Sequence, residues 1–187
     1  KYFPEEEIEQ NDLYFICYMI ERVARHVHQR NKYVVNKIGK DELYHLISCA
    51  NVLHSENPVK TENDWISEYN LEEGDFDIED VDKELVNIIP TSTQMGKVYS
   101  RLILNTLGAD ENFVDGIIRV YNNDICDTID NYNCSAYYEP SYVIARAYQN
   151  GGFYIGKYET GIEDTPKTDG SSSTEPTEIP VIKQNAY

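Results

Sequence analysis

Between Asp12 and Asn31 the chain reads DLYFICYMIERVARHVHQRN, and this stretch constrains the fold more than any other. From Leu13 to Ile20 every position is apolar or aromatic, counting Cys17 as the small apolar residue that a buried thiol resembles. Val23, Ala24 and Val27 then continue the series at helical spacing, interleaved with Arg22, Arg25 and His26. The pattern predicts a helix of about five turns whose first half is surrounded by other elements and whose second half reaches water. Asn11 or Asp12 is the expected N-cap. A lone helix cannot bury so wide an apolar surface, so the rest of the chain must pack around it.

The following sequence supplies more helices and no convincing strand. Val34, Val35 and Ile38 make a short apolar step before Gly39. A second helix is expected over about 41–55, with Leu43, Leu46, Ile47, Ala50 and Leu53 on one face and Asn57-Pro58 ending it. Trp65, Ile66 and Tyr69 read as a single amphipathic turn. Asp82 is placed to cap a short helix through Leu85, Val86 and Ile89, stopped by Pro90. Thr91 followed three positions later by Gln94 has the form of a capping box. The helix it opens carries Met95, Val98, Tyr99, Leu102 and Ile103 and closes at Gly108. Asp110 is the expected cap of the next, where Gly116 marks a weak point or a close contact, and a short helix with Ile125, Ile129 and Tyr132 follows. Glu139-Pro140 starts a last helix that Asn150-Gly151-Gly152 stops. The expected fold is an all-α, single-domain bundle of about seven helices.

Its limits are set at residues 1–154, with 155–187 as a flexible tail of Gly, Pro, Ser, Thr, Asp and Glu. Within the tail, Ile179-Pro180-Val181-Ile182 is a short apolar stretch suited to docking on the domain or on a partner's sheet edge.

The chain has 187 residues, 33 of them acidic and 16 basic, for a formal net charge of −17. Such a chain repels a phosphate backbone, so nucleic acid is not an expected partner. The charges are unevenly placed. Arg22, Arg25, Arg30, Lys32, Lys37 and Lys40 form a basic patch uninterrupted by any acid, while 62–84 is the most acidic stretch. The two are expected to pair within the fold. No apolar run is long enough to span a bilayer, and the four cysteines show neither a CxxC pair nor metal-ligand spacing, which points to a reducing, cytoplasmic setting.

Motifs for chemistry are scarce. His26 and His28 sit two apart, about 200° around a helix, and cannot share a metal. The run from Asp75 to Asp82 lacks the glycine and the closing glutamate of a calcium loop. Gly96-Lys97 lacks the rest of a phosphate loop, and Cys134 with His54 is a dyad in name only. No catalytic residue, metal or cofactor is assigned. What stands out is tyrosine from Tyr121 to Tyr154, interleaved with asparagine. Tyrosine offers a large rigid surface with a polar tip, the chemistry of interface cores. Tyr137, Tyr138 and Tyr142 are therefore the expected partner-binding residues, with Arg119 and Arg146 as anchors.

A further reading comes from resemblance. Phe15, Cys17, Ile20 and Glu21, then Val52-Leu53-His54, then Asp64-Trp65-Ile66 resemble the pattern of a class of small helical bacterial domains encoded beside ADP-ribosyltransferase-like toxins. The resemblance covers residues 12–66 and implies an antitoxin or accessory role. The expected function is a non-enzymatic interaction protein of this kind with a protein partner. The alternatives are an enzyme or small-ligand protein with a pocket near Tyr137, Tyr138, Arg146 and Cys134, and a nucleic-acid mimic whose carboxylates line a ridge.

Overall fold

A computed structural model describes residues 8–153. The proposed tail, with Ile179-Pro180-Val181-Ile182, lies outside the described residues. The described chain is all-helical, with nine α-helices and two short 3-10 turns. Helix α1 (Gln10–His26) is the hub. Its N-cap is Glu9, and Asp12 reaches back from the first turn, its carboxylate accepting the Glu9 N–H at 2.8 Å. The residue expected to cap the helix thus closes the cap from inside. Leu13, Ile16, Cys17, Met19, Ile20 and Val23 are wholly buried against α2 (Asn31–Ile38), α3 (Lys40–Ser48), α4 (Ala50–Leu53), α5 (Pro58–Glu68) and α6 (Ser92–Thr106).

The most extensive pairing is α1 with α6. It is close because Gly96 has no side chain: a Cβ there would stand 2.8 Å from the Tyr18 Cα. Two helix backbones touch at that point, and any larger residue would force them apart. On its other flank α6 meets α7 (Phe113–Tyr121) and α9 (Ser141–Gln149). Gly116 repeats the device, since a Cβ there would stand 2.8 Å from Ile103 Cγ2. That settles Gly116 as a close contact. Helix α8 (Ile125–Ile129) and the 3-10 turns Tyr132–Cys134 and Ala136–Tyr138 carry the chain back to α9.

Several boundaries differ from expectation for identifiable reasons. The apolar step at Val34, Val35 and Ile38 is a full helix, because those residues face α1 and α7 and tertiary burial outweighs weak propensity. The expected second helix is split at Cys49 into α3 and α4. Asn57-Pro58 does not merely end a helix but opens α5, with Asn57 accepting the Val59 N–H at 3.0 Å and proline in the first turn. The expected helix after Asp82 is one turn only, where Asp82 accepts the Val86 N–H at 2.9 Å. Leu85 and Ile88 stay exposed there, so no buried stripe offsets the cost of nucleating a helix. The box at Thr91 and Gln94 forms as read, with reciprocal bonds of 3.2 and 2.8 Å. Asn112 rather than Asp110 caps α7.

The basic and acidic stretches do meet. Arg22 donates to Glu62 at 2.6 Å, His26 lies 2.5 Å from the other Glu62 oxygen, and Arg25 reaches Glu79 at 3.3 Å. The N–H groups of Gly74 and Phe76 donate to the carbonyls of Val27 and His28 at 2.8 and 2.9 Å. The acidic loop is thereby laid over the end of α1, which explains why Val27 is buried where the sequence suggested water.

The Gly96 contact yields a stability test. Gly96→Val should cost about 1–3 kcal/mol by separating α1 from α6, read as a lower Tm in thermal unfolding. An unchanged Tm would contradict backbone contact at this crossing.

Candidate functional site

Glu21 projects from the middle of α1 with 0% exposure, and its carboxylate is met by donors on every side. Arg25, one turn on, donates Nε to Oε1 at 2.9 Å, and Tyr132 OH donates to the same oxygen at 3.2 Å. Asn31 at the start of α2 donates Nδ2 to Oε2 at 2.7 Å and lies 3.3 Å from Asp130 Oδ2. Tyr99 from α6 donates to Asp130 Oδ1 at 2.5 Å. Burial first, and then the Glu21 charge, push the Asp130 carboxyl well above the usual carboxylate range. Burial and the neighbouring Asp130 likewise push the Tyr99 hydroxyl up. The Tyr121 hydroxyl is buried beside the Cys17 thiol.

The network reaches the surface through one residue. Arg25 Nη2 donates at 2.8 Å both to the Pro90 carbonyl and to Tyr132 OH. The Tyr132 ring meets Tyr137 edge-on, with centroids 5.2 Å apart, and Tyr137 in turn meets Tyr138 at 6.1 Å. Pro90, Tyr137 and Tyr138 line a groove of about 400 Å³ together with Val98 and Leu102 of α6 and Ile144 of α9. Lys97 and Arg101, one turn apart on α6, and Glu139 also line it.

Two large apolar side chains that line this groove, Tyr138 and Ile88, are exposed, as are Leu85 and Tyr142 from neighbouring stretches of the chain. Tyr138 is 82% exposed, Ile88 78%, Leu85 65% and Tyr142 64%. Exposed apolar groups that gather on one face mark a binding surface more often than scattered ones do.

Of the expected partner-binding residues, Tyr137 and Tyr138 line the groove, and Tyr142 stands exposed on the first turn of α9. Arg146 is exposed on α9 and does not line it. Arg119 is committed elsewhere. It donates to both Glu111 oxygens at 2.7 and 2.8 Å, to Tyr148 OH at 2.8 Å and to the Thr106 carbonyl at 3.1 Å, locking the corner between α6 and α7. Nothing in the sequence marked that local ion pair, although Glu111 and Arg119 stand eight apart across a helix start.

Cys134 is half-buried, with its thiol against the carbonyls of Thr128 and Asn131, and His54 stacks on Phe15 at 4.3 Å. Neither lines the groove. Burial pushes the Cys17 thiol up to about 12 and Cys126 upward as well, so neither offers a thiolate. Among the described residues no cluster of three or more His, Cys, Asp or Glu is placed to hold a metal, and no helix is long and apolar enough to cross a membrane. Asp130, Tyr99 and Tyr132, whose pKa values burial raises, lie inside the network and do not line the groove. Sequence reading missed the network because Glu21, Asn31 and Asp130 have ordinary surface chemistry, and Asn31 lies 10 residues from Glu21 and 99 from Asp130. Compared with protein-family models, curated proteins and solved structures, the chain matches none of them.

The Asp130 environment has a definite pH consequence. Its folded pKa lies above the unfolded value of about 3.9, so the native state keeps a proton that the unfolded chain releases. This contribution to stability is intact below about pH 4 and falls as pH rises through the folded pKa. Asp130→Asn should match the wild-type Tm near pH 4 and exceed it by roughly 2–4 °C at pH 8, by differential scanning calorimetry. A variant that is less stable at pH 8 than at pH 4, relative to wild type, would contradict a neutral Asp130.

Proposed function

We propose that this chain is a non-enzymatic protein-binding module that docks its partner in the groove between Pro90, α6 and the Tyr137–Ile144 wall. The observation that carries the reading is the exposure of Ile88 and Tyr138, two large apolar side chains that line that groove, on a chain of net charge −17. Aromatic and aliphatic anchors beside two cations are the composition of an interface centre rather than of a solvated face. The pairing of Glu62 and Glu79 with Arg22, His26 and Arg25 supports this reading over nucleic-acid mimicry, which needs carboxylates presented outward. An antitoxin-like inhibitor or accessory subunit, the role implied by the resemblance over residues 12–66, is one form such a module takes.

A small-ligand reading draws on the groove's volume, which falls in the range of ligand sites. It lacks a perturbed acid or nucleophile at the groove, since Asp130, Cys17 and Cys126 are buried elsewhere.

Affinity capture of the intact chain from its native host tests the proposal. Wild type should retain a stoichiometric protein partner. Tyr138→Ala and Ile88→Asp should each lose at least about 2 kcal/mol of binding, more than tenfold in retention, with Tm unchanged. Capture of the same partner by all three chains would overturn the docking surface, and recovery of every chain alone would overturn the function.

A further inference from the structure

We propose that the groove receives a segment of a partner protein in which one Asp or Glu side chain is flanked by large apolar ones, its carboxylate lying across Lys97 and Arg101. The inference rests on the reading of the groove as a docking surface and deepens it by naming the chemistry of the occupant. Among the described residues Arg22, Arg25, Arg30, Lys40, Lys60 and Arg119 each pair with a carboxylate. Lys97 and Arg101 pair with none there, in a chain with 33 acidic residues to 16 basic, and Lys97 has the Tyr14 ring 6.0 Å from its Nζ instead. Both are exposed, stand one turn apart on α6 and line the groove. Like charges at that spacing repel each other, and a carboxylate set between them relieves the repulsion. The planar guanidinium can take both of its oxygens.

Val98 and Leu102 repeat the same spacing, so α6 brings an apolar row to the groove beside the charged one. Ile88 and Tyr138, 78% and 82% exposed, line it too. An occupant that covers them needs aliphatic or aromatic side chains on either side of its carboxylate. Their burial lowers the dielectric around the ion pair and makes it stronger than an open surface pair. Glu139 gives the groove its polarity. It follows the 3-10 turn Ala136–Tyr138, lines the same groove and pairs with neither cation. The end of the occupant that meets Glu139 therefore carries an apolar, amide or basic residue, because an acid there is repelled. The charge of −17 on the whole chain opposes an acidic tract, but it is screened beyond about 8 Å at physiological ionic strength. One carboxylate among apolar residues fits these conditions, whereas a nucleic-acid strand, charged at every phosphate, does not.

Panning a library of random dodecapeptides on the intact chain tests this. Peptides held by wild type and lost more than about tenfold by Ile88→Asp are the ligands of the groove, and they should carry Asp or Glu next to Leu, Ile, Phe or Trp. A synthetic copy of the tightest should bind the double variant Lys97→Glu, Arg101→Glu about tenfold more weakly, and should weaken as much when its own acid is made the amide. It should bind Glu139→Gln about twofold more tightly, and Tm should be unchanged in all these variants. Groove ligands without an acid overturn the inference, as does equal binding by wild type and the Lys97→Glu, Arg101→Glu chain, or a library in which no peptide depends on Ile88. Displacement of the peptide by oligothymidylate at equal strength overturns it in favour of a phosphate ligand. The docking reading fails separately. If the partner captured from the native host is lost by Tyr138→Ala and Ile88→Asp yet retained by Lys97→Glu, Arg101→Glu, the docking surface stands and its preference for a carboxylate does not.

Discussion

A carboxylate buried on the central helix must be paired from every side, and Glu21 sets that constraint for the whole fold. Placing a charge in a protein interior without donors costs several kcal/mol. Here the donors come from three places: Arg25 one turn along α1, Asn31 at the start of α2, and Tyr132 in the first 3-10 turn. Asn31 extends the chain of contacts to Asp130, and Tyr99 brings in α6. Segments more than 100 residues apart in sequence are therefore fixed by one side chain. Burial and the Glu21 charge push the second acid's pKa well above the usual carboxylate range, which lowers the repulsion between the two.

The same network shapes the exposed face. Arg25 holds the Pro90 carbonyl and the Tyr132 hydroxyl with one nitrogen, and Tyr132 positions Tyr137 by an edge-on contact. Two walls of the groove thus hang from a residue that Glu21 orients. The floor is α6, set against α1 by the Gly96 crossing and opened by the Thr91 box. Asp130, Tyr99 and Tyr132, whose pKa values burial raises, lie inside the network, while the groove presents Tyr137, Tyr138, Lys97, Arg101 and Glu139.

The sequence made part of this legible. The α1 pattern, the Thr91–Gln94 box and the Gly151 stop are local signals, written in spacing and in side chains that bond to their own backbone, and the structure carries all three. Tyr137 and Tyr138 were marked by composition, and both line the groove. Burial of Glu21 was not legible, because a glutamate after Ile20 at the polar edge of an amphipathic helix is ordinary, and its partners are remote in sequence. Helix α2 was hidden for the opposite reason: its propensity is weak, and packing against α1 and α7 makes it. Leu85 read as part of a helix with Val86 and Ile89, yet Leu85 and its neighbour Ile88 stay exposed. Arg119 read as an anchor because it lies near the tyrosines, while Glu111, only eight residues back, already held it.

The most direct measurement is the Tm of Glu21→Gln at neutral pH, taken together with hydrogen exchange over residues 85–90 and 132–138. Removing the charge leaves the largely buried Arg25 with only the exposed Glu79 as counter-ion, and a loss of about 1.5–3 kcal/mol with faster exchange in both groove walls is expected. A Glu21→Gln chain with wild-type Tm and unchanged exchange would contradict the view that this carboxylate holds the bundle and its binding face together.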